Sequence, residues 1–324
     1  MQVILFGCKD TTLHISNLLL KKGARITLIT ISPLKAKEQK VAGYEDLTKY
    51  VHLFEKIYVA KRYDLKDEDD LNFFKSSNLN VGFSMGWQRL IPSEILDLFN
   101  CGVFGMHGSS MDLPFGKGRS PLNWSIIENR KWFYTNLFKY QSGVDNGPVV
   151  DKECFSINDY DSAETLHYKN LISFTNIILN NWENFKNNNL KTIPQKKIKG
   201  SFYPKRDPED SIIDWEDDIF QIERFIRAVS PPFNGSYSFL NDKKLIILRA
   251  SIFYSDLEYH SFKNFSRGYI CQIFPNGKFL VRANGGVLII HEYFFEDKII
   301  EAQLKSPVNL IKRFKKNNYG FYDI

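Results

Sequence analysis

Cysteine is scarce in this chain: 324 residues hold four, Cys8, Cys101, Cys154 and Cys271. They are scattered, with neither the even clustering of a disulfide framework nor the paired spacing of a zinc site. A reduced, cytoplasmic compartment is the expectation. Histidine is almost as rare, and His14, His52, His167, His260 and His291 show no metal-ligand spacing. They read as structural or surface residues, and no metal is expected. No apolar run approaches the roughly 20 residues that cross a bilayer. The opening Met1-Gln2-Val3-Ile4-Leu5-Phe6 has no charged leader, so neither membrane insertion nor secretion is expected. Two nucleotide signatures are missing as well. Gly7-Cys8-Lys9-Asp10 lacks the later glycines of a dinucleotide fingerprint, and Gly116-Lys117-Gly118-Arg119 does not match a Walker-type loop.

Charge of one sign is also missing where it would matter for a nucleic-acid partner. The net charge is +6, yet residues 1–185 carry 21 Lys/Arg against 21 Asp/Glu, and residues 201–324 carry 17 against 16. The surplus is Lys186, Lys191, Lys196, Lys197 and Lys199, all in one segment. A solvated linker accounts for them, and neither half offers the broad basic surface that tRNA would require.

What the chain does have is alternation. Val3–Phe6, Ile26–Ile31, Lys56–Val59, Val81–Ser84 and Gly102–Met106 are short β-rich runs. Helical spacing over Thr12–Lys22 and Asp67–Phe74 separates some of them. Such βαβ units imply an α/β fold with a Rossmann-like, mainly parallel sheet, which binds ligands at the carboxyl ends of its strands. Phe133–Tyr140 and Val149–Ile157 read as further strands, followed by a helix over Asp161–Asn181. Phe185–Gly200 then loses apolar periodicity. A helix over Ile219–Val229 precedes five runs with hairpin turns at Pro275-Asn276-Gly277 and Asn284-Gly285-Gly286. They fit a small open barrel of the OB type. The expected domains are 1–185, catalytic, and 201–324, OB-like, joined by a basic linker at 186–200.

Chemistry concentrates between Cys101 and Val150. His107 falls in a turn after an apolar strand, and Asp145-Asn146-Gly147-Pro148 is turn chemistry after another. If the fold brings them together, a histidine and an aspartate make a proton-handling pair. Lys117 and Arg119 lie in a cationic loop that enters a helix at Pro121, where phosphate could be held.

These residues resemble the formyltransferase family that uses N10-formyltetrahydrofolate. Ser84-Met85-Gly86-Trp87-Gln88-Arg89-Leu90-Ile91-Pro92 is similar to its folate-site loop. His107-Gly108-Ser109 with Leu113-Pro114 is similar to its catalytic loop, Arg119–Trp124 to the helix start that follows, and Asp145-Asn146-Gly147 to its Asp-x-Gly. Ser201–Arg206, Ile213-Asp214-Trp215 and Ile226-Arg227-Ala228 resemble its linker-and-barrel domain. The resemblance implies His107 and Asp145 as catalytic residues. It implies a folate site at Met85, Gly86, Trp87, Arg89, Leu90, Ile91, Gly143 and Val144. A nucleotide-sugar site would take Lys9, Lys117, Arg119, Ser120 and Arg206. The family's Asn-x-His has Gly105 at the asparagine position, and the loop before Leu113-Pro114 is about two residues longer than usual. Asn123, Ser109 or Ser110 is expected to replace the missing oxyanion donor. The glycine-rich basic insertion of the tRNA enzyme is missing from Ile31–Asp46. The implied reaction is therefore formyl transfer to a nucleotide-linked amino sugar, a uridine-diphosphate 4-amino sugar being the first expectation, for lipopolysaccharide or another surface polysaccharide. Methionyl-tRNA formylation and an inactive folate- or sugar-binding homologue are the alternatives. A barrel edge such as Val287–Phe294 could pair across a homodimer.

Overall fold

The computed structural model describes residues 1–41, 43–256, 262–306, 314–318 and 320–322; His260 lies outside them. In chain order the elements are β1 (Gln2–Phe6), α1 (Asp10–Lys21), β2 (Arg25–Thr30), α2 (Pro33–Glu38), β3 (Lys56–Val59), α3 (Glu68–Lys75), β4 (Val81–Ser84), α4 (Ser93–Leu96) and β5 (Gly102–Ser109). There follow β6 (Lys117–Gly118), α5 (Pro121–Ile127), β7 (Trp132–Lys139), β8 (Val149–Ser156), α6 (Ala163–Asn180), α7 (Trp182–Lys186) and β9 (Phe202–Tyr203). The rest are α8 (Ile219–Val229), β10 (Ser236–Leu240), β11 (Lys243–Ser255), β12 (Ile270–Ile273), β13 (Phe279–Ala283) and β14 (Gly286–Phe294).

Seven strands form one sheet in the order β3-β2-β1-β4-β5-β7-β8. The pairs from β3 to β5 are parallel, and β7 and β8 are added antiparallel. The central strands are covered on both faces, which is why they read as unbroken apolar runs. Alternation along β1 sends Val3 and Leu5 into one cluster, with Leu28, Phe83, Phe104, Ile177 and Phe185. Ile4 and Phe6 enter the opposite one, with Ile29, Phe74, Trp87 and Val103. Helix α6 starts on a capping box at Ser162 and Thr165, and buries Leu166, Phe174, Ile177 and Ile178.

The second sheet, β10-β11-β14-β13-β12, is antiparallel and open in its strand order, and its pairings alone do not make the OB-type barrel that the sequence suggests. Residues 302–305 bond to both of its margins. Ile270 N–H donates to Ala302 O at 2.9 Å and Leu304 N–H to Gly268 O at 2.8 Å, while Lys305 and Phe239 exchange bonds at 2.8 and 3.0 Å. Helix α8 packs against this sheet through Ile219, Ile222 and Ile226, and its Ala228 and Val229 join Ile126, Phe133, Ile157 and Leu166 in a cluster with the first sheet's elements.

Candidate active site

Strand β5 outlasts its parallel partner. It pairs with β4 only from Gly102 to Gly105, then continues to Ser109 along β7. His107 therefore stands within the strand and not in a turn after it, just beyond the carboxyl end of β4. Its side chain is 6% exposed. Nδ1 lies 3.3 Å from Asp145 Oδ2, and Nε2 lies 2.9 Å from the Gly116 carbonyl. Both ring nitrogens face an acceptor, and a neutral imidazole has one N–H with which to serve them.

Asp145 reaches the ring from a turn bent hard enough to need left-handed backbone, with φ of 48° at Asp145 itself. Two residues on, a Cβ at Gly147 would overlap the Lys139 carbonyl, so only glycine lets the chain pass there. A side chain from the expected linker fixes the turn. Gln195 Nε2 donates to the carbonyls of Asp145 and Gly147, both at 2.8 Å. Composition alone marks 186–200 as lysine-rich and gives no hint of that clamp.

The Gly/Lys/Arg loop is pinned down. Gly116 N–H donates to Ser201 Oγ at 2.9 Å, and β6 pairs with β9 in parallel. Lys117 is buried; that burial pushes its ammonium below the ordinary lysine range, against an opposing pull from Asp145. Arg119 N–H donates to Tyr203 O at 3.1 Å, and Ser120 opens α5 in a left-handed conformation. Lys9 stands before α1 beside Gly86, its ammonium likewise pushed down by burial.

The expected folate residues lie at the end of β4. Met85 is buried, with its carbonyl accepting from Thr12 Oγ1 at 2.7 Å. Gly86 takes a φ of 82°. Trp87 packs on Phe6 and Tyr63, and its buried indole N–H has no partner among the described residues. Arg89 stacks 5.0 Å over the Tyr63 ring. Ile91 is buried, but Leu90 is 64% and Val144, next to Gly143, 48% exposed. An apolar side chain, Val144, is thus left open next to Asp145.

Several expected residues are engaged elsewhere. Asn123 is buried and donates its amide to Ala228 O at 2.6 Å, holding α5 to α8. Ser110 pairs with the Tyr203 hydroxyl at 3.0 Å, and Ser109 Oγ accepts from Met111 N–H at 3.3 Å. Asn123 and Ser110 are thus tied to protein partners, whereas Ser109 only accepts in its bond and keeps its hydroxyl proton to donate. Arg206, expected at the sugar nucleotide, is also held by the protein. Its guanidinium donates to Asp210 O and Ser211 Oγ and lies against Trp124 and Phe225, and burial pushes it down to about 10.

Two residues that the sequence does not single out face the same region. Asn136 is directly opposite His107 across β5 and β7; it is 0% exposed and both amide atoms have no partner among the described residues. Tyr140 fills the space over Gly105, where a Cβ would overlap its hydroxyl and ring. The β5–β7 register is the signal that would have found both, and it depends on an antiparallel pairing that periodicity does not reveal.

Comparison with known proteins bears on the fold. The formyl transferase C-terminal domain matches residues 205–304. An N-formyltransferase from Helicobacter canadensis, solved with folinic acid and dTDP-3-aminofucose, superposes with a TM-score of 0.62 at 18% identity, over 90% of this chain and 99% of its own. HypX from Aquifex aeolicus, solved with tetrahydrofolic acid, gives 0.64 at 15% identity over 92% of this chain and 45% of its own, so the chain spans less than half of HypX. A 4-N formyltransferase from Francisella tularensis gives 0.57 at 16% identity, over 73% and 91% of the two chains. At these identities the likeness speaks for the fold. Residues 205–304 thus match the formyl transferase C-terminal domain, and over nine-tenths of its length the chain is similar in fold to an N-formyltransferase.

Proposed function

We propose that the protein transfers a formyl group from N10-formyltetrahydrofolate to the amine of a nucleotide-linked amino sugar, in the making of a surface glycan. The observation that carries this reading is the contact of His107 with Asp145 at 3.3 Å, beyond the carboxyl end of β4. Ligands of open α/β sheets bind at such ends.

The residues fit a folate. Leu90 and Val144 leave apolar surface exposed, and the Trp87 N–H, partnerless among the described residues, lies in the loop of Leu90. These residues with Met85, Gly86, Arg89, Ile91 and Gly143 would hold it, and when bound it supplies an electrophilic formyl carbon. The protein's own part is to manage protons. Asp145 holds the Nδ1 side of the imidazole, which leaves Nε2 as the position that takes the amine proton once substrate displaces the Gly116 carbonyl. Lys9, Lys117, Arg119 and Ser120 are the candidates for the sugar nucleotide. Of the assigned domains, 1–185 carries the chemistry and 186–200 clamps the Asp145 turn. In 201–324, residues 302–305 would close the second sheet into an OB-like barrel.

A folate- or sugar-binding protein without turnover is the second reading, favoured by Gly105. One experiment separates them: formyl transfer measured against uridine- and thymidine-linked 3-amino and 4-amino sugars, with methionyl-tRNA as a further acceptor. Turnover with an amino sugar is the expected result. Donor binding without turnover on any acceptor would favour the second reading, and turnover on tRNA alone would replace both.

A further inference from the structure

Moving a formyl group between nitrogens places negative charge on the formyl oxygen, and a fixed donor at that oxygen is typically a large part of the catalysis. Of the three side chains expected to supply it, Asn123 donates to Ala228 O, Ser110 pairs with the Tyr203 hydroxyl, and Ser109 accepts from Met111 N–H. Gly105 precedes His107 by two residues and so shares its face of β5.

That space is not empty. Tyr140, just past the end of β7, is anchored by its N–H to Val103 O at 2.7 Å and rests on Phe138 with ring centroids 5.3 Å apart. Its hydroxyl and ring atoms occupy the volume into which any side chain at position 105 would extend. The missing side chain at 105 and the tyrosine are therefore one arrangement: the ring can sit there only because residue 105 is glycine. From this we infer that the Tyr140 hydroxyl is a catalytic residue, donating its hydrogen bond to the formyl oxygen as charge develops there. The inference rests on the proposed formyl transfer.

Two further observations suit the role. Tyr140 keeps part of its surface exposed, whereas Asn136 is enclosed. Burial pushes the phenol up to about 12, with the Ser84 hydroxyl pulling down and Asp145 pushing up, so the group keeps its proton. A donor must keep it.

The test compares wild type, Tyr140→Phe, Tyr140→Ala, Asn136→Ala and the double variant Tyr140→Ala with Gly105→Asn. Tyr140→Phe should lower kcat about 100-fold, with KM for both substrates and the melting temperature nearly unchanged. The double variant, whose asparagine now has room, should regain part of the rate lost in Tyr140→Ala alone. Independently of turnover, the infrared carbonyl stretch of a 13C-formyl donor bound without acceptor should lie at lower frequency in wild type than in Tyr140→Phe. A Tyr140→Phe enzyme within twofold of wild type, or a stretch that responds to Asn136→Ala and not to Tyr140→Phe, would overturn the inference alone. A wild type that neither binds the donor nor transfers formyl would overturn the proposed function, and this inference with it.

Discussion

At the scale of single residues, the site is built from groups whose environments oppose one another. His107 is enclosed between a carboxylate and a carbonyl, and Lys117 is buried with Asp145 as its main electrostatic support. An ammonium pushed below its usual range gives up its proton earlier in the folded protein than in the unfolded chain. Between those two values the unfolded chain binds more protons, so this group's contribution to stability rises with pH there. Below both values the cost is constant and fully present. Lys117→Met should therefore be more stable than wild type near neutral pH, and the gap should narrow as pH climbs toward the ordinary lysine range. Chemical denaturation at several pH values measures the gap; one that widened with pH would mean that burial does not dominate at Lys117.

At the scale of elements, what positions the site is a strand that overruns its neighbour and a turn held from outside. Gln195 contributes two bonds to that turn. Each bond is worth about 1 kcal/mol net, so Gln195→Ala should cost roughly 1–2 kcal/mol in urea unfolding. Because Asp145 loses its anchor, kcat should fall more than the stability loss alone implies. Unchanged kcat would show that the turn holds its shape without the clamp. The strands of the first half were legible because both-face burial writes uninterrupted apolar runs such as Val3–Phe6 and Val81–Ser84. The aromatic run before Asp145 likewise disclosed β7. His107 and Asp145 were legible as residue types at strand ends, and their approach follows from the order of those strands. Gln195, Asn136 and Tyr140 were not legible, since each owes its position to a register or a crossing that leaves no periodic trace. For Arg206 the sequence is silent in another way: nothing local distinguishes a buried strut from an anion ligand.

At the scale of the whole molecule, the two halves share buried surface at α5, α6 and α8. The Asn123 amide bridges to Ala228 O, and Trp124 Nε1 donates to Pro204 O at 3.0 Å. Removing the Asn123 amide leaves a buried carbonyl unsatisfied, at a cost of about 1–3 kcal/mol. Asn123→Ala should therefore unfold at lower denaturant while keeping measurable formyl transfer, because the bond it loses joins α5 to α8. A folded, stable variant without activity would return Asn123 to the chemistry.

The pair that Asp145 and His107 form across the molecule's strand ends is best tested as a unit. The measurement is a double-mutant cycle on the rate of formyl transfer to a nucleotide-linked amino sugar, using His107→Asn, Asp145→Asn and both together. His107→Asn should lose roughly 100- to 10,000-fold. Adding Asp145→Asn to it should lose little more, since partners in one proton-handling unit are strongly non-additive. Two losses that simply multiply would mean that the imidazole and the carboxylate do separate work, and would contradict a single proton-handling pair.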